Sequence, residues 1–154
     1  MNPFGAVLTQ NKRMMALLWE EIDRFPRWAQ ETIRRYLPYT ARLEAIPRAR
    51  LRAERAAWVL KSDYGCEGEE VVIGAATSAA DWSRALDDAL PTRWIAQRYF
   101  RALQAPTDRP GDRAVTINHG VYVVAGRAAG LFTRLQPGCT DRAAVCAPTM
   151  VRLA

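Results

Sequence analysis

The sequence predicts an α+β fold, in which a helical N-terminal third precedes a mainly antiparallel sheet with flanking helices. Before residue 38, apolar side chains recur at three- and four-residue spacing, which is typical of helices that bury one face. After residue 58, short apolar segments are separated by glycine-containing turns, which is typical of antiparallel strands. The 154 residues are 49% hydrophobic, so the chain can form a buried core. We predict a single region over residues 1–154, helical over 1–57 and β-rich over 58–154.

Helices are predicted in three segments of the first part. Residues 11–25 carry one apolar stripe, and Pro26 ends that helix. Residues 27–36 form a second helix, which stops before Pro38 because proline disfavours helical geometry in its predecessor. The arginine-rich stretch that ends at Ala57 is also expected to be helical. The inward-facing residues of the second helix are predicted to be Trp28, Ile33 and Leu37.

The β-rich region contains one helix and several strands. Ser78 and Asp81 have the spacing of a capping box, which predicts a helix start. Residues 94–100 are apolar on both faces, which indicates a central strand. Residues 115–124 and 127–134 are two residues apart, the spacing of a tight hairpin. No element is predicted beyond residue 138. The apolar face of the helix is expected to be Trp82, Leu86 and Leu90.

The net charge of +6 comes from 22 lysines and arginines against 16 acidic residues, and nearly all of the cations are arginine. Arginines crowd the segment before Trp58, where they could contact a nucleic-acid backbone or form the solvated face of a helix. Glu44 and Glu54 are interspersed, and no aromatic residues alternate with the arginines as a stacking platform would require. The solvated face is therefore the favoured interpretation. The cluster consists of Arg42, Arg48, Arg50, Arg52 and Arg55.

The cysteines do not form a Cys-x-x-Cys motif, so neither a disulfide framework nor a zinc site is indicated. No apolar run approaches the roughly 18 residues of a membrane-spanning helix, and the first residues lack the features of a secretory signal. We expect a cytoplasmic location and no membrane partner. The cysteines are Cys66, Cys139 and Cys146.

The segment from Trp58 to Gly74 reads as a strand, a glycine-punctuated loop and a second strand. Gly65 and Gly68 relieve the steric limits on φ, so the loop amides can turn inward, and Lys61 can neutralise phosphate oxygens at the base of the loop. A lysine before a glycine-containing hairpin can equally be a solvated strand end. The segment therefore leaves both a phosphate site and an ordinary hairpin open.

Four sequence blocks follow one another along the chain. They are Asn2-Pro-Phe-Gly-Ala-Val-Leu-Thr-Gln-Asn-Lys12, Trp58-Val-Leu-Lys-Ser-Asp-Tyr-Gly-Cys-Glu-Gly68, Trp94-Ile-Ala-Gln-Arg-Tyr99, and Val121-Tyr-Val-Val-Ala-Gly-Arg-Ala-Ala-Gly-Leu-Phe-Thr-Arg134. In this order they resemble the ATP-grasp superfamily, and within it the circularly permuted branch that includes glutathionylspermidine-synthase-like enzymes. The resemblance spans nearly the whole chain. It implies that this chain corresponds to the C-terminal, ATP-binding part of such a protein, built from ATP-grasp-like lobes.

The resemblance also implies an ATP site. Lys12 and Lys61 match the two family lysines that meet the α- and β-phosphates. Tyr64, Gly65 and Gly68 match the glycine-containing loop that closes over the terminal phosphates, with Tyr64 shielding the site from water.

Two further residues are assigned to the ATP site by the same resemblance. Gln97 and its neighbours would offer backbone groups to the adenine edge. Arg134 would meet a phosphate or a substrate carboxylate, or would instead pair with Asp141 or a neighbouring acid.

The activity implied is that of a carboxylate–amine ligase, which forms an acylphosphate from ATP with magnesium bridging the phosphates. In the permuted branch the acidic magnesium ligands lie upstream of the block that begins at Asn2, so we expect them outside this chain. A missing N-terminal half or a partner subunit would then complete the enzyme. Two other functions remain open: a degenerate, non-catalytic interaction module of the same fold, and a basic nucleic-acid-binding module.

Overall fold

The computed structural model describes residues 4–65, 68, 70–106, 113–138 and 143–149. They belong to two compact units, Met1–Phe100 and Arg101–Ala154. Within the described part of the chain, the helices are α1 (Gly5–Gln10), α2 (Arg13–Glu20), α3 (Arg27–Tyr36), α4 (Arg48–Ala53) and α5 (Ala79–Asp88). The strands there are β1 (Thr40–Arg42), β2 (Trp58–Ser62), β3 (Val71–Ile73), β4 (Trp94–Arg98), β5 (Gln104–Ala105), β6 (Val115–Val124), β7 (Arg127–Gln136) and β8 (Val145–Ala147).

The α+β class is confirmed, because each unit contains a four-stranded antiparallel sheet. The sheet of the first unit has the order β1-β4-β2-β3, so β4 is a central strand, as its two partly apolar faces predict. β1 lies inside the stretch predicted to be helical. That the whole chain acts as one functional region stays a prediction.

The core of the first unit lies against one face of its sheet. Leu60 and Ala96 are directly opposite one another on β2 and β4, and both are fully buried. Trp82 and Leu86 of α5 pack in the same cluster, together with Leu51 of α4. Burying one leucine side chain stabilises a fold by about 1.5–3 kcal/mol, so this cluster is a main source of stability for the unit. The Trp82 indole N–H donates to the Leu51 carbonyl at 2.9 Å.

The capping box at the start of α5 is confirmed. The Asp81 N–H donates to Ser78 Oγ at 3.1 Å, and the Ser78 hydroxyl donates to the Asp81 carboxylate at 2.6 Å. Leu90 was predicted on the buried face of this helix, and that is wrong. α5 ends at Asp88, so Leu90 lies beyond the helical repeat and is exposed.

The N-terminal helices differ from the prediction in detail. α3 spans the predicted residues, but Trp28 is 72% exposed rather than buried. The partly buried apolar residues of α3 and its end are Ala29, Ile33 and Leu37, at four-residue spacing. Trp28 precedes Ile33 by five positions and so points roughly 140° away from that face, at 3.6 residues per turn.

The long first helix is also shorter than expected. Instead of one helix over residues 11–25, the chain forms α2 and then a 3-10 turn at Ile22–Arg24. α1 and the short strands β1, β5 and β8 were not predicted.

The second unit is a sheet of order β5-β6-β7-β8. The predicted hairpin is confirmed as β6 and β7, joined through Ala125 and Gly126. Both turn residues have positive φ, 51° and 76°, the requirement of a type I′ turn, whose twist matches that of the flanking strands.

One glycine in the first unit allows a close backbone approach. A Cβ built on Gly74 lies 2.9 Å from the Arg55 carbonyl carbon and 3.0 Å from the Trp58 carbonyl oxygen. Both obstacles are backbone atoms, which cannot rotate away as a side chain can. The side chain of Arg55 also donates to the Gly74 and Thr77 carbonyls, which fixes the two segments together.

We expect Gly74→Ala to lower the free energy of unfolding by about 3 kcal/mol, the upper end of ordinary overpacking costs. Urea denaturation of the variant and the native sequence measures the difference. Gly5→Ala is the control, since a Cβ at Gly5 has no atom within 4 Å. Equal stability of Gly74→Ala and the native sequence would contradict the packing described here.

Candidate functional site

The sequence contains only two lysines, Lys12 and Lys61, and the structure brings both to the same end of the first sheet. Lys61 is the fourth residue of β2, and Lys12 lies just before α2. The Lys12 backbone N–H donates to the Asp63 carbonyl at 2.8 Å. Since Asp63 is two residues beyond Lys61, the two lysine backbones are held near one another although 49 positions separate them in the sequence.

The Lys61 side chain lies on the sheet face opposite the apolar core, because it alternates with the core residue Leu60. Its Nζ donates to Gln97 Oε1 at 2.7 Å. Gln97 is 4% exposed, and its Nε2 donates to Thr40 Oγ1 at 2.9 Å. The same amide nitrogen lies 3.8 Å from the sulfur of Met15, so α2 covers this part of the face. Gln97 therefore fixes the ammonium group of Lys61.

The start of the glycine loop folds back onto Lys12. The Lys12 Nζ donates to the Gly65 carbonyl, and the Gly65 N–H donates to Ser62 Oγ at 2.9 Å. Tyr64 is exposed beside them. Gly68 has a φ of 85°, a conformation that glycine adopts without strain, as its predicted role requires. Residues 66, 67 and 69, including Cys66, lie outside the described residues.

Asp63, which directly follows β2, forms an ion pair with Arg93. Arg93 Nε donates to both carboxylate oxygens of Asp63, at 2.9 and 2.8 Å, and the Asp63 N–H donates to the Arg93 carbonyl at 2.7 Å. Asp63 is 5% exposed. The hydrogen bond from Arg93 lowers the pKa of Asp63, and desolvation only partly opposes it. Sequence reasoning missed this pair, because the partners are 30 positions apart and neither has a motif of its own.

An open cavity of about 280 Å³ lies beside Tyr64 and the start of α2. Polar and apolar side chains line it in similar numbers, and Tyr64 borders it together with the two neighbours of Lys12. Its lining residues are Leu8, Asn11, Arg13, Met14, Leu17, Arg42 and Tyr64. Neither lysine lines this cavity, which borders their surroundings only through Tyr64 and the two neighbours of Lys12. The guanidinium groups of Arg13 and Arg42 in its wall are of a kind that binds oxyanions. We refer to Lys12, Lys61, Gly65 and Gln97 as the lysine cluster.

Of the residues predicted for the site, the structure gathers Lys12, Lys61, Tyr64, Gly65 and Gln97 in the first unit. The resemblance assigned the backbone of Gln97 to the adenine, but in the structure its side chain accepts a hydrogen bond from Lys61. The backbone of Gln97 lies within the ladders to β1 and β2, opposite Thr40 and Val59.

Arg134 belongs to the second unit. It lies on β7, opposite Asn118 of β6 and Cys146 of β8. Asp141, its suggested partner, and Cys139 lie outside the described residues, whereas Cys146 is an exposed free thiol. The role of Arg134 stays a prediction.

The arginine cluster before Trp58 makes contacts within its own unit. Two ion pairs have distances of 2.9 Å, Arg42 with Glu20 and Arg50 with Glu54, and Arg52 contacts Asp87 at 2.6 Å. Such contacts fit the solvated helix face that the interspersed glutamates suggest. Arg48 also lies 3.9 Å from Asp87, and Arg55 is bonded to the carbonyls named above.

Among the described residues, no group of three or more His, Cys, Asp or Glu side chains has an arrangement that could hold a metal ion. The same part of the chain contains no helix with the length and apolarity needed to cross a membrane.

In the first unit of this α+β protein, the backbones of both lysines lie close to the start of a glycine-containing loop. Comparison with protein families identifies the family of the chain. The family model described as Glutathionylspermidine synthase preATP-grasp matches residues 1–152, and the chain therefore belongs to that family. Searches of curated proteins and of solved structures found no match.

The ion pair of Asp63 makes stability depend on pH in a defined direction. Because the folded-state pKa of Asp63 is lowered, its contribution is complete above the unfolded-state pKa of about 3.9 and is lost as the pH falls through the folded-state value. We expect the difference in unfolding free energy between the native sequence and Asp63→Asn to be constant from pH 7 to 5 and to shrink below pH 4. Urea denaturation across this range measures it. A difference that grows as the pH falls would contradict the ion pair.

Proposed function

We propose that this chain is the ATP-binding part of a carboxylate–amine ligase of the circularly permuted ATP-grasp type, with Lys12 and Lys61 contacting the phosphates of ATP. The observation that carries the proposal is the position of the only two lysines: the Lys12 ammonium group contacts Gly65 of the glycine loop, and the Lys12 backbone is bonded to Asp63, two residues after Lys61. Membership of a glutathionylspermidine synthase family supports the ligase class.

The contacts of the two ammonium groups support an exchange for phosphate. Lys12 donates to the Gly65 carbonyl, and Lys61 donates to the side-chain oxygen of Gln97. Phosphate oxygens are stronger acceptors for an ammonium group than these two uncharged oxygens, because the hydrogen bond is then charged at both ends. We propose that phosphate oxygens take over both ammonium groups from these acceptors. Tyr64, exposed at the cavity edge, would exclude water from the bound phosphates.

The purine is proposed to lie at the other end of β4. Gln97 itself is within the sheet, and the N–H groups of Arg98 and Tyr99 donate to other backbone carbonyls, so the base edge is proposed to meet the backbone from Phe100 onward. Tyr99 and Phe100 border an open cavity of about 400 Å³ there, and Phe100 is exposed. Along β4, Arg98 lies four residues from Trp94, which is roughly 14 Å at 3.4 Å per residue.

When bound, ATP would supply the phosphoryl group that activates a carboxylate for attack by an amine. The lysine cluster would bind and orient the phosphates and offset their charge. The described residues do not fit a magnesium site, so we propose that the metal ligands come from another part of the protein or from a partner subunit. Arg134 is proposed to contact a phosphate or the substrate carboxylate.

A degenerate, non-catalytic member of the fold is the second candidate, because the described residues provide no metal ligands. Such a module would retain the lysine cluster as structure only. Nucleotide-dependent stabilisation separates the two functions.

We expect ATP with magnesium to raise the unfolding temperature of the native sequence in a saturable way, by roughly 8 °C at a hundredfold excess over Kd. Lys61→Ala should abolish most of this shift, since it removes one phosphate contact. Differential scanning fluorimetry at increasing ATP concentration measures both.

Arg27→Ala is the control for the loss of one positive charge, because the Arg27 side chain is 93% exposed and pairs only locally with Glu31 in α3. It should keep the full ATP-dependent shift. No shift in the native sequence, or an equal shift in Lys61→Ala, would rule out the proposed site and favour the non-catalytic module.

A further inference from the structure

We infer that Asp63 and Arg93 are positioning residues, which set the place of Lys12 relative to Lys61 without contacting the ligand. The importance of this positioning for ligand binding rests on the proposed function, because a polyphosphate would have to contact both lysines at once. Its structural part concerns the ligand-free protein and can be tested without nucleotide.

Asp63 connects three segments through both its backbone and its carboxylate. Its carbonyl accepts from the Lys12 N–H at 2.8 Å, at the start of α2. Its carboxylate accepts from Arg93 Nε and, at 3.0 Å, from the N–H of Tyr64 in the glycine loop. Its N–H donates to the Arg93 carbonyl. One nearly buried residue thus fixes Lys12, the loop and the segment before β4.

The two lysines depend on Asp63 to different degrees. Lys61 lies within the sheet, opposite Ile95 of β4 and Val71 of β3, and its side chain is held by Gln97. Lys12 lies outside the sheet, and the Asp63 carbonyl accepts its backbone N–H. Loss of the Asp63 carboxylate would free the peptide of residue 63 and the loop that binds the Lys12 ammonium group. The Lys12 ammonium group should therefore become more accessible, while Lys61 is unchanged.

The first unit should remain folded when the ion pair between Asp63 and Arg93 is broken. Arg13 donates to Glu44 at 2.6 Å and to the Pro91 carbonyl at 3.0 Å, which anchors α2 independently of Asp63. The apolar core lies on the opposite face of the sheet. A residue that only stabilised the fold would loosen both lysines together, so the positioning role is distinguished by a difference between the lysines.

The experiment measures the reactivity of each lysine with limiting acetic anhydride, read by peptide mass spectrometry. The proteins are the native sequence, Asp63→Asn and Asp87→Asn, all at a temperature where each is fully folded. Asp87 is the matched control, an aspartate in an ion pair with Arg52 at 2.6 Å in the same unit. We expect Asp63→Asn to raise the acetylation rate of Lys12 about fivefold, the factor that one ordinary hydrogen bond represents, and to leave Lys61 unchanged. Asp87→Asn should change neither rate.

An equal rise at both lysines, or no rise at Lys12, would overturn the positioning role. Arg93→Gln removes the same ion pair from the other side and must give the same pattern, so it replaces Asp63→Asn if that variant does not fold.

A second arm adds ATP and magnesium to the same proteins. ATP should slow acetylation of both lysines in the native sequence, and in Asp63→Asn it should protect Lys61 but lose most of its protection of Lys12. Absence of protection in the native sequence would refute the nucleotide site, while the ligand-free rates would still decide the positioning role. Full protection of both lysines in Asp63→Asn would overturn the positioning role and leave the nucleotide site standing.

Discussion

The antiparallel ladder between β2 and β4 is the constraint on which the rest of the first unit depends. Its register places Leu60 against Ala96 on one face, where the apolar core forms, and commits Lys61 and Gln97 to the other. Side chains alternate along a strand, so a slip of one residue would exchange the two faces and bury an ammonium group in the core. The burial that stabilises the sheet therefore also fixes the side chains of the proposed site.

The two lysines reach the same place by different means. Lys61 is positioned by the ladder and by its contact with Gln97, whereas Lys12 is held by the chain that leaves β2, chiefly through Asp63. A site assembled in this way has one fixed cation and one whose position can be adjusted through a loop. The proposed binding of a polyphosphate suits this division, because the fixed group would set the position of the ligand and the other group could adjust to it.

Local sequence signals predicted much of this arrangement. The capping box at Ser78, the two-residue turn of the last hairpin and the central placement of β4 follow from short-range chemistry, and the structure has all three. The two lysines and the glycine loop were singled out from their motifs, and their role stays a prediction. The pairing of Asp63 with Arg93 could not be found in this way, because it depends on strand register rather than on spacing. Trp28 was misplaced because an apolar residue at the edge of a helical stripe gives no sign of which face is covered.

The most direct measurement of the central claim uses the scarcity of lysine in this chain. Protein labelled with 15N only at lysine gives two backbone amide signals, those of Lys12 and Lys61, which NMR follows as a non-hydrolysable ATP analogue and magnesium are added. One shared phosphate site predicts that both signals shift along the same saturation curve. Signals that do not shift, or a shift at only one lysine, would contradict a nucleotide site built from the pair.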